Sequence, residues 1–179
     1  MGSAGFLVVI FILAVIAFII IVVVVFYNKK EEKTRCYQSA ANILKEKYLK
    51  DQLTNPEVAT QSTLSIYDLR MMIFIKNLSS KPKKGYVFDA ADGVKFGRKN
   101  SNNIILSEAI VSGDHCRIFS DINGRVYIND YSANGTMLKR GFSCVSVKSA
   151  TFELMNGDII IVGSAKFRIM LFWFDGKTV

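Results

Sequence analysis

Gly97-Arg98, then Ser112-Gly113-Asp114-His115, then Ser132-Ala133-Asn134-Gly135-Thr136 are three polar islands in the apolar second half of this 179-residue chain. The segments around them read as short strands. Tyr86-Val87-Phe88, Val94-Lys95-Phe96, Cys116 to Phe119, Arg125 to Ile128, Ile159 to Val162 and Phe167 to Phe174 are apolar runs of strand length. Leu69, Met71, Ile73 and Ile75 alternate with Arg70, Met72, Phe74 and Lys76, the pattern of a half-buried strand. Asn123-Gly124 and Asp92-Gly93 are hairpin signals, and Lys81-Pro82-Lys83-Lys84-Gly85 is a turn. Many short strands with regular turns predict an all-β sandwich or barrel, whose loops can meet at one end. The islands would then supply a set of anion ligands. Arg98 carries a fixed fork of N–H donors, Ser112 a hydroxyl, Gly113 a bare backbone N–H, and Asn134 an amide that donates and accepts.

The order and spacing of these segments resemble the forkhead-associated (FHA) domain, a family of phosphothreonine-binding modules. Phe96-Gly97-Arg98 is similar to its "IGR" strand end, and Asn103-Ile104-Ile105-Leu106 to the strand that follows. Val111-Ser112-Gly113-Asp114-His115-Cys116-Arg117-Ile118 resembles its "SxxH" segment. Asp130-Tyr131-Ser132-Ala133-Asn134-Gly135-Thr136 resembles "DxSxNGT", and Asn156-Gly157-Asp158-Ile159-Ile160 with Gly163 its late "GDxI" strand. The resemblance implies a sandwich of two antiparallel sheets. It implies that Arg98, Ser112 and the Gly113 N–H contact phosphate and that Asn134 holds the peptide main chain. Gly97, Lys99, His115, Ala133, Gly135 and Thr136 would support them, with His115 bracing the loops from behind. The chain departs from the family at Gly113, where Arg often stands, and at Asp114, a negative charge near the expected phosphate. It also carries Lys139-Arg140-Gly141 in place of a frequent Asn-Gly. Lys99 would compensate electrostatically. Glu108 to Val111 and Met137 to Arg140 are candidates to set peptide preference.

Each residue also has an ordinary reading. An isolated Gly-Arg ends a strand in solvent, Ser112 could bond its own turn, and Asn134-Gly135 alone is a common turn. His115 is the single histidine, and no Ser, Cys and carboxylate set accompanies it as a triad. No metal constellation or Gly-rich phosphate loop before a helix is present, so no enzyme, metal or cofactor is expected. Cys36, Cys116 and Cys144 are odd in number and far apart, as reduced thiols would be.

Upstream, Phe6 through Phe26 carries no charge. About 20 apolar residues span a hydrocarbon core, so a transmembrane helix is predicted over residues 6–27. A cleaved signal peptide is the alternative. Against it stand the length of the run, the lack of Lys or Arg before it and the lack of a small-residue cleavage site after it. Lys29, Lys30, Lys33 and Arg35 follow the run, which by the positive-inside rule places the N-terminus outside and the body in the cytoplasm. Residues 28–54 form a helical juxtamembrane stem with a stripe of Tyr37, Ala40, Ala41, Leu44 and Tyr48. The stem is a spacer or a dimerising element. A polar linker follows over 55–65, and the FHA domain over 66–175.

The formal charge is +8, with 23 Lys and Arg against 15 Asp and Glu. Such a balance raises nucleic acid as a partner, but the basic residues are scattered rather than striped, and those beside the helix suit anionic lipid. The expected function is a single-pass adaptor of the cell membrane that recruits Ser/Thr-kinase substrates through phosphothreonine. The alternative is a phosphate-independent building block of a membrane assembly such as secretion machinery. Thr60 and Thr63 in the linker make self-recognition a further expectation.

Overall fold

The computed structural model describes residues 3–54 and 69–175. The linker expected at 55–65, with Thr60 and Thr63, lies outside them. One helix, α1, runs Ser3–Thr54. From Phe6 to Thr54 there is neither Gly nor Pro, and the second half is rich in Ala, Leu, Glu, Lys and Gln, so no residue interrupts the backbone ladder. The chain divides into two compact units, 1–38 and 39–179.

The described residues of the first unit are all helical. Its large apolar side chains from Phe6 to Tyr27 are exposed, and α1 is long and apolar enough to cross a membrane.

The second unit holds the remainder of α1 and eleven strands among the described residues. They are β1 (Arg70–Asn77), β2 (Gly85–Asp89), β3 (Val94–Gly97), β4 (Ile104–Ile105), β5 (Cys116–Ser120), β6 (Val126–Asp130), β7 (Met137–Arg140), β8 (Ser143–Ser146), β9 (Thr151–Glu153), β10 (Ile159–Val162) and β11 (Ala165–Phe174). One sheet has the order β2-β1-β11-β10-β7-β8 and the other β4-β3-β5-β6-β9. Among the described strands only β3 and β4 pair in parallel. The expected sandwich is therefore present. Its core joins Ile73, Ile75, Phe167 and Ile169 of one sheet to Phe96, Ile118 and Ile128 of the other. Phe96 and Phe167 meet edge to face, with ring centroids 5.4 Å apart. Each such buried side chain stabilises the fold by roughly 1.5–3 kcal/mol.

Two expectations are corrected. Asp92-Gly93 does not close a hairpin, because β2 and β3 belong to different sheets. The chain crosses over at Ala90, whose N–H donates to the Met71 carbonyl of β1 while its own carbonyl accepts from Ser120 N–H of β5. Hydrogen bonds to both sheets there outweigh the local turn signal. Strand β1 is also not half-buried. Ile73 and Ile75 enter the core, yet Met72 and Phe74 on the other face are buried too. The Phe74 ring lies over Gly85 of β2, where a Cβ would strike it.

The same unit contains the end of α1. Ala40 and Leu44 are buried, and Lys47 Nζ donates to Asp92 Oδ1 at 2.7 Å and to Asp89 Oδ2 at 3.4 Å. Asp89 pairs in register with Met72, so the helix reaches the strand whose outer face is covered.

Candidate functional site

Phe96 of β3 lies opposite Cys116 of β5, and Cys116 opposite Asp130 of β6. The register therefore sends the end of β3, the start of β5 and the end of β6 to one end of the sandwich. The three islands begin there and bind one another through the main chain. Arg98 N–H donates to the Ser112 carbonyl (3.0 Å) and Lys99 N–H to the Gly113 carbonyl (3.1 Å). Asn102 Nδ2 donates to the carbonyls of Lys99 (3.0 Å) and Gly113 (2.8 Å), tying the loop after β3 to the loop before β5. Gly97 is needed for this approach, since a Cβ there would collide with the Gly113 carbonyl.

The third island joins through side chains. Ala133 N–H donates to Ser112 Oγ at 3.2 Å, and Asn134 Nδ2 donates to the Ile110 carbonyl at 2.8 Å. Behind it the buried Asp130 carboxylate accepts from Ser132 N–H, Ser132 Oγ, Thr136 Oγ1 (2.6 Å) and Ser149 N–H. Ser132 Oγ in turn accepts from Gly135 N–H at 2.7 Å. Gly135 adopts φ +86°, a left-handed turn that costs a residue with a side chain more than glycine.

His115 holds all three islands at once. Its N–H donates to the Phe96 carbonyl (2.8 Å) and its carbonyl accepts from Tyr131 N–H (2.9 Å). Its Nδ1 accepts from Ser112 N–H at 3.1 Å, which leaves the ring proton on Nε2, 3.9 Å from Asp130 Oδ2. The ring is buried. Burial lowers its pKa, against the opposing pull of Asp130 and the Gly135 carbonyl. Protonation would also set an Nδ1–H against the Ser112 N–H. Next to it, burial pushes the Cys116 thiol up to about 12, so this cysteine is no nucleophile.

What remains unengaged at the surface is the chemistry of the site. Arg98 is exposed, and its guanidinium makes no hydrogen bond or ion pair among the described residues. Ser112 Oγ accepts one bond, so its own proton is free to be donated. Asn134 retains Oδ1 and its second N–H. Lys99, by contrast, is ion-paired with Asp114. Glu108 is bound by Ser164 N–H and Oγ, each at 2.8 Å. Arg140 lies at the far end of β7, where its guanidinium grips Asp158 at 2.9 and 2.7 Å. Of the segments considered for peptide preference, exposed Ala109 and Ile110 thus stay near the islands while Arg140 does not.

Asn102 and Lys148 of this end escaped the sequence reading, and Asp130 was quoted in a motif without a role. The role of Asp130 could have been found from the Asp-x-Ser spacing, which favours a side-chain-bonded turn. Asn102 carries only the weak signal of an Asn in a turn. Lys148 carries none. It comes from the loop after β8 and stands against Gly135, where a Cβ would meet its Cβ at 3.1 Å.

The fold and this loop end define a class: a β-sandwich module presenting an unpaired cation among hydrogen-bond donors. Comparison with known proteins makes the class specific. Residues 94–163 match the family model described as the FHA domain, and the chain carries an FHA domain. EmbR of Mycobacterium tuberculosis, solved with a low-affinity phosphopeptide, is 28% identical over 55% of this chain and 24% of its own, with a TM-score of 0.47. This chain thus spans about a quarter of EmbR. The FHA domain of CT664 from Chlamydia trachomatis is 19% identical, covering 55% of this chain and 96% of that one, with a TM-score of 0.47. The N-terminal FHA domain of Rad53p from S. cerevisiae, in complex with a phosphothreonine peptide, is 22% identical, covering 56% and 94%, with a TM-score of 0.47. No curated protein matches.

Proposed function

We propose that this protein is a membrane-tethered adaptor that binds phosphothreonine peptides at the end of the sandwich carrying Arg98. The observation that carries the reading is the guanidinium of Arg98, exposed and unpaired, beside a hydroxyl and a carboxamide with unused donors. A phosphothreonine brings about −1.5 to −2 charge and three acceptor oxygens. Arg98, the Ser112 hydroxyl and the Gly113 N–H would meet the phosphate, and Asn134 the adjacent peptide backbone. Charge-assisted bonds of roughly 1.5–3 kcal/mol each, less the ordering of an extended peptide, suit micromolar, reversible binding. The partners are then proteins phosphorylated by Ser/Thr kinases. The apolar run of α1 supplies the tether, and the basic residues after it favour a cytoplasmic body.

The test is fluorescence polarisation of the full chain in detergent with phosphothreonine, phosphoserine and plain threonine peptides of one sequence. Preference for phosphothreonine that Arg98→Ala removes supports the reading; equal weak binding of all three defeats it. A second reading, a phosphate-independent building block, is favoured by strand β8. It is exposed throughout at a sheet edge, with Val145 on it and Phe142 fully exposed at the preceding turn.

A further inference from the structure

Lys99 and Asp114 form an ion pair whose path is unusual. The stem of Lys99 crosses directly over Gly113: a Cβ at 113 would meet its Cε at 3.1 Å, Cγ at 3.3 Å and Cδ at 3.5 Å. The backbone fixes this course, since Lys99 N–H donates to the Gly113 carbonyl. The ammonium then reaches Asp114 Oδ2 on the residue beyond. Both side chains are more than half exposed, at 62% and 55%. A side chain at 113 would crowd this stem and push it aside by a few tenths of an ångström, so the glycine leaves the lysine its close course across the loop.

The other carboxylates of these loops are already committed. Glu108 is bound to Ser164, and Asp130 is buried under Ser132 and Thr136. Asp114 is an exposed acid of the second island, and it occupies the ammonium of the lysine that crosses that island.

We propose that Asp114 is a built-in competitor: it holds Lys99 in the free domain and yields it to the phosphate of a bound peptide. This rests on the phosphothreonine reading of the same site. An exposed pair is weak, so an incoming dianion can exchange for the carboxylate at little cost. A side-chain carboxylate on a peptide offers no more charge than Asp114 and cannot. The pair thereby sets a threshold, making the site selective for phosphate over an acidic residue that mimics it. Lys99 stands in for the cation that a glycine at 113 cannot supply.

The test uses the full chain in detergent, with phosphothreonine, glutamate and threonine versions of one peptide. Asp114→Asn is expected to raise affinity for the phosphopeptide by about threefold, the scale of an exposed ion pair, and to raise affinity for the glutamate peptide by more. Lys99→Ala is expected to weaken phosphopeptide binding, and adding Asp114→Asn to it should change nothing further. An equal gain in the Lys99→Ala background would show that Asp114 acts by direct repulsion, and would overturn the exchange. So would an Asp114→Asn protein indistinguishable from wild type while phosphothreonine preference and its loss in Arg98→Ala persist. If wild type and Asp114→Asn bind all three peptides equally weakly, the phosphothreonine reading falls and the competitor role with it. Both residues are exposed, so unchanged unfolding midpoints exclude misfolding as the cause.

Discussion

A guanidinium with no partner among the described residues gains nothing for the fold, so its removal separates binding from stability. Arg98→Ala is expected to lower phosphopeptide affinity about 10- to 100-fold, the scale of lost charge-assisted bonds, with an unchanged unfolding midpoint. Arg98→Lys should recover only part, because a point charge replaces a planar fork. His115 makes the opposite case, in which stability itself responds to pH. Its folded pKa lies below the ordinary 6.5, so the unfolded chain binds the proton more readily. Stability should be indifferent to this group above pH 6.5 and fall as pH drops below it, by at most about 1.4 kcal/mol per unit. The chain has one histidine, so His115→Gln should flatten that slope between pH 6.5 and 5 in urea unfolding followed by tryptophan fluorescence. At this scale the legible residues were those fixed by a motif. Asn102 and Lys148 were not, because their contacts with Gly113 and Gly135 span 11 or more positions and leave no local pattern.

At the scale of elements, alternation and turn signals located most strands, including β10 at its observed ends and the β5–β6 hairpin. They failed where tertiary bonds override local preference. Asp92-Gly93 has the composition of a hairpin, but Ala90 is bonded to both sheets and the strands part there. The alternation of β1 marks its core face correctly and says nothing about a second cover. The end of α1 belongs with the sandwich by the same logic. Leu44→Ala should therefore destabilise the domain by about 2–3 kcal/mol, measured by urea unfolding of the full chain. A stem free in solvent would show no more than about 0.5 kcal/mol. Thiol labelling offers a related check. Exposed Cys144 should react readily in the native protein, and Cys116, buried with its pKa near 12, only on unfolding.

For the whole molecule, the proposed tether predicts which side of a membrane holds the site. Cys144 supplies the reporter. With the body in the cytoplasm, a membrane-impermeant maleimide should label it only after lysis, whereas a cysteine placed by Ser3→Cys should label in intact cells. The apolar run was plain in the sequence because its length and lack of charge meet what a bilayer-crossing helix requires, and α1 is long and apolar enough to cross one.

The convergence of three loops on His115 has a consequence for timing. A cradle already tied together has little to reorganise, so on the proposed reading neither association nor release waits on refolding. On the proposed reading, such a receptor would keep no memory of past signals. The duration of each recruitment would follow the dissociation rate of the phosphopeptide itself.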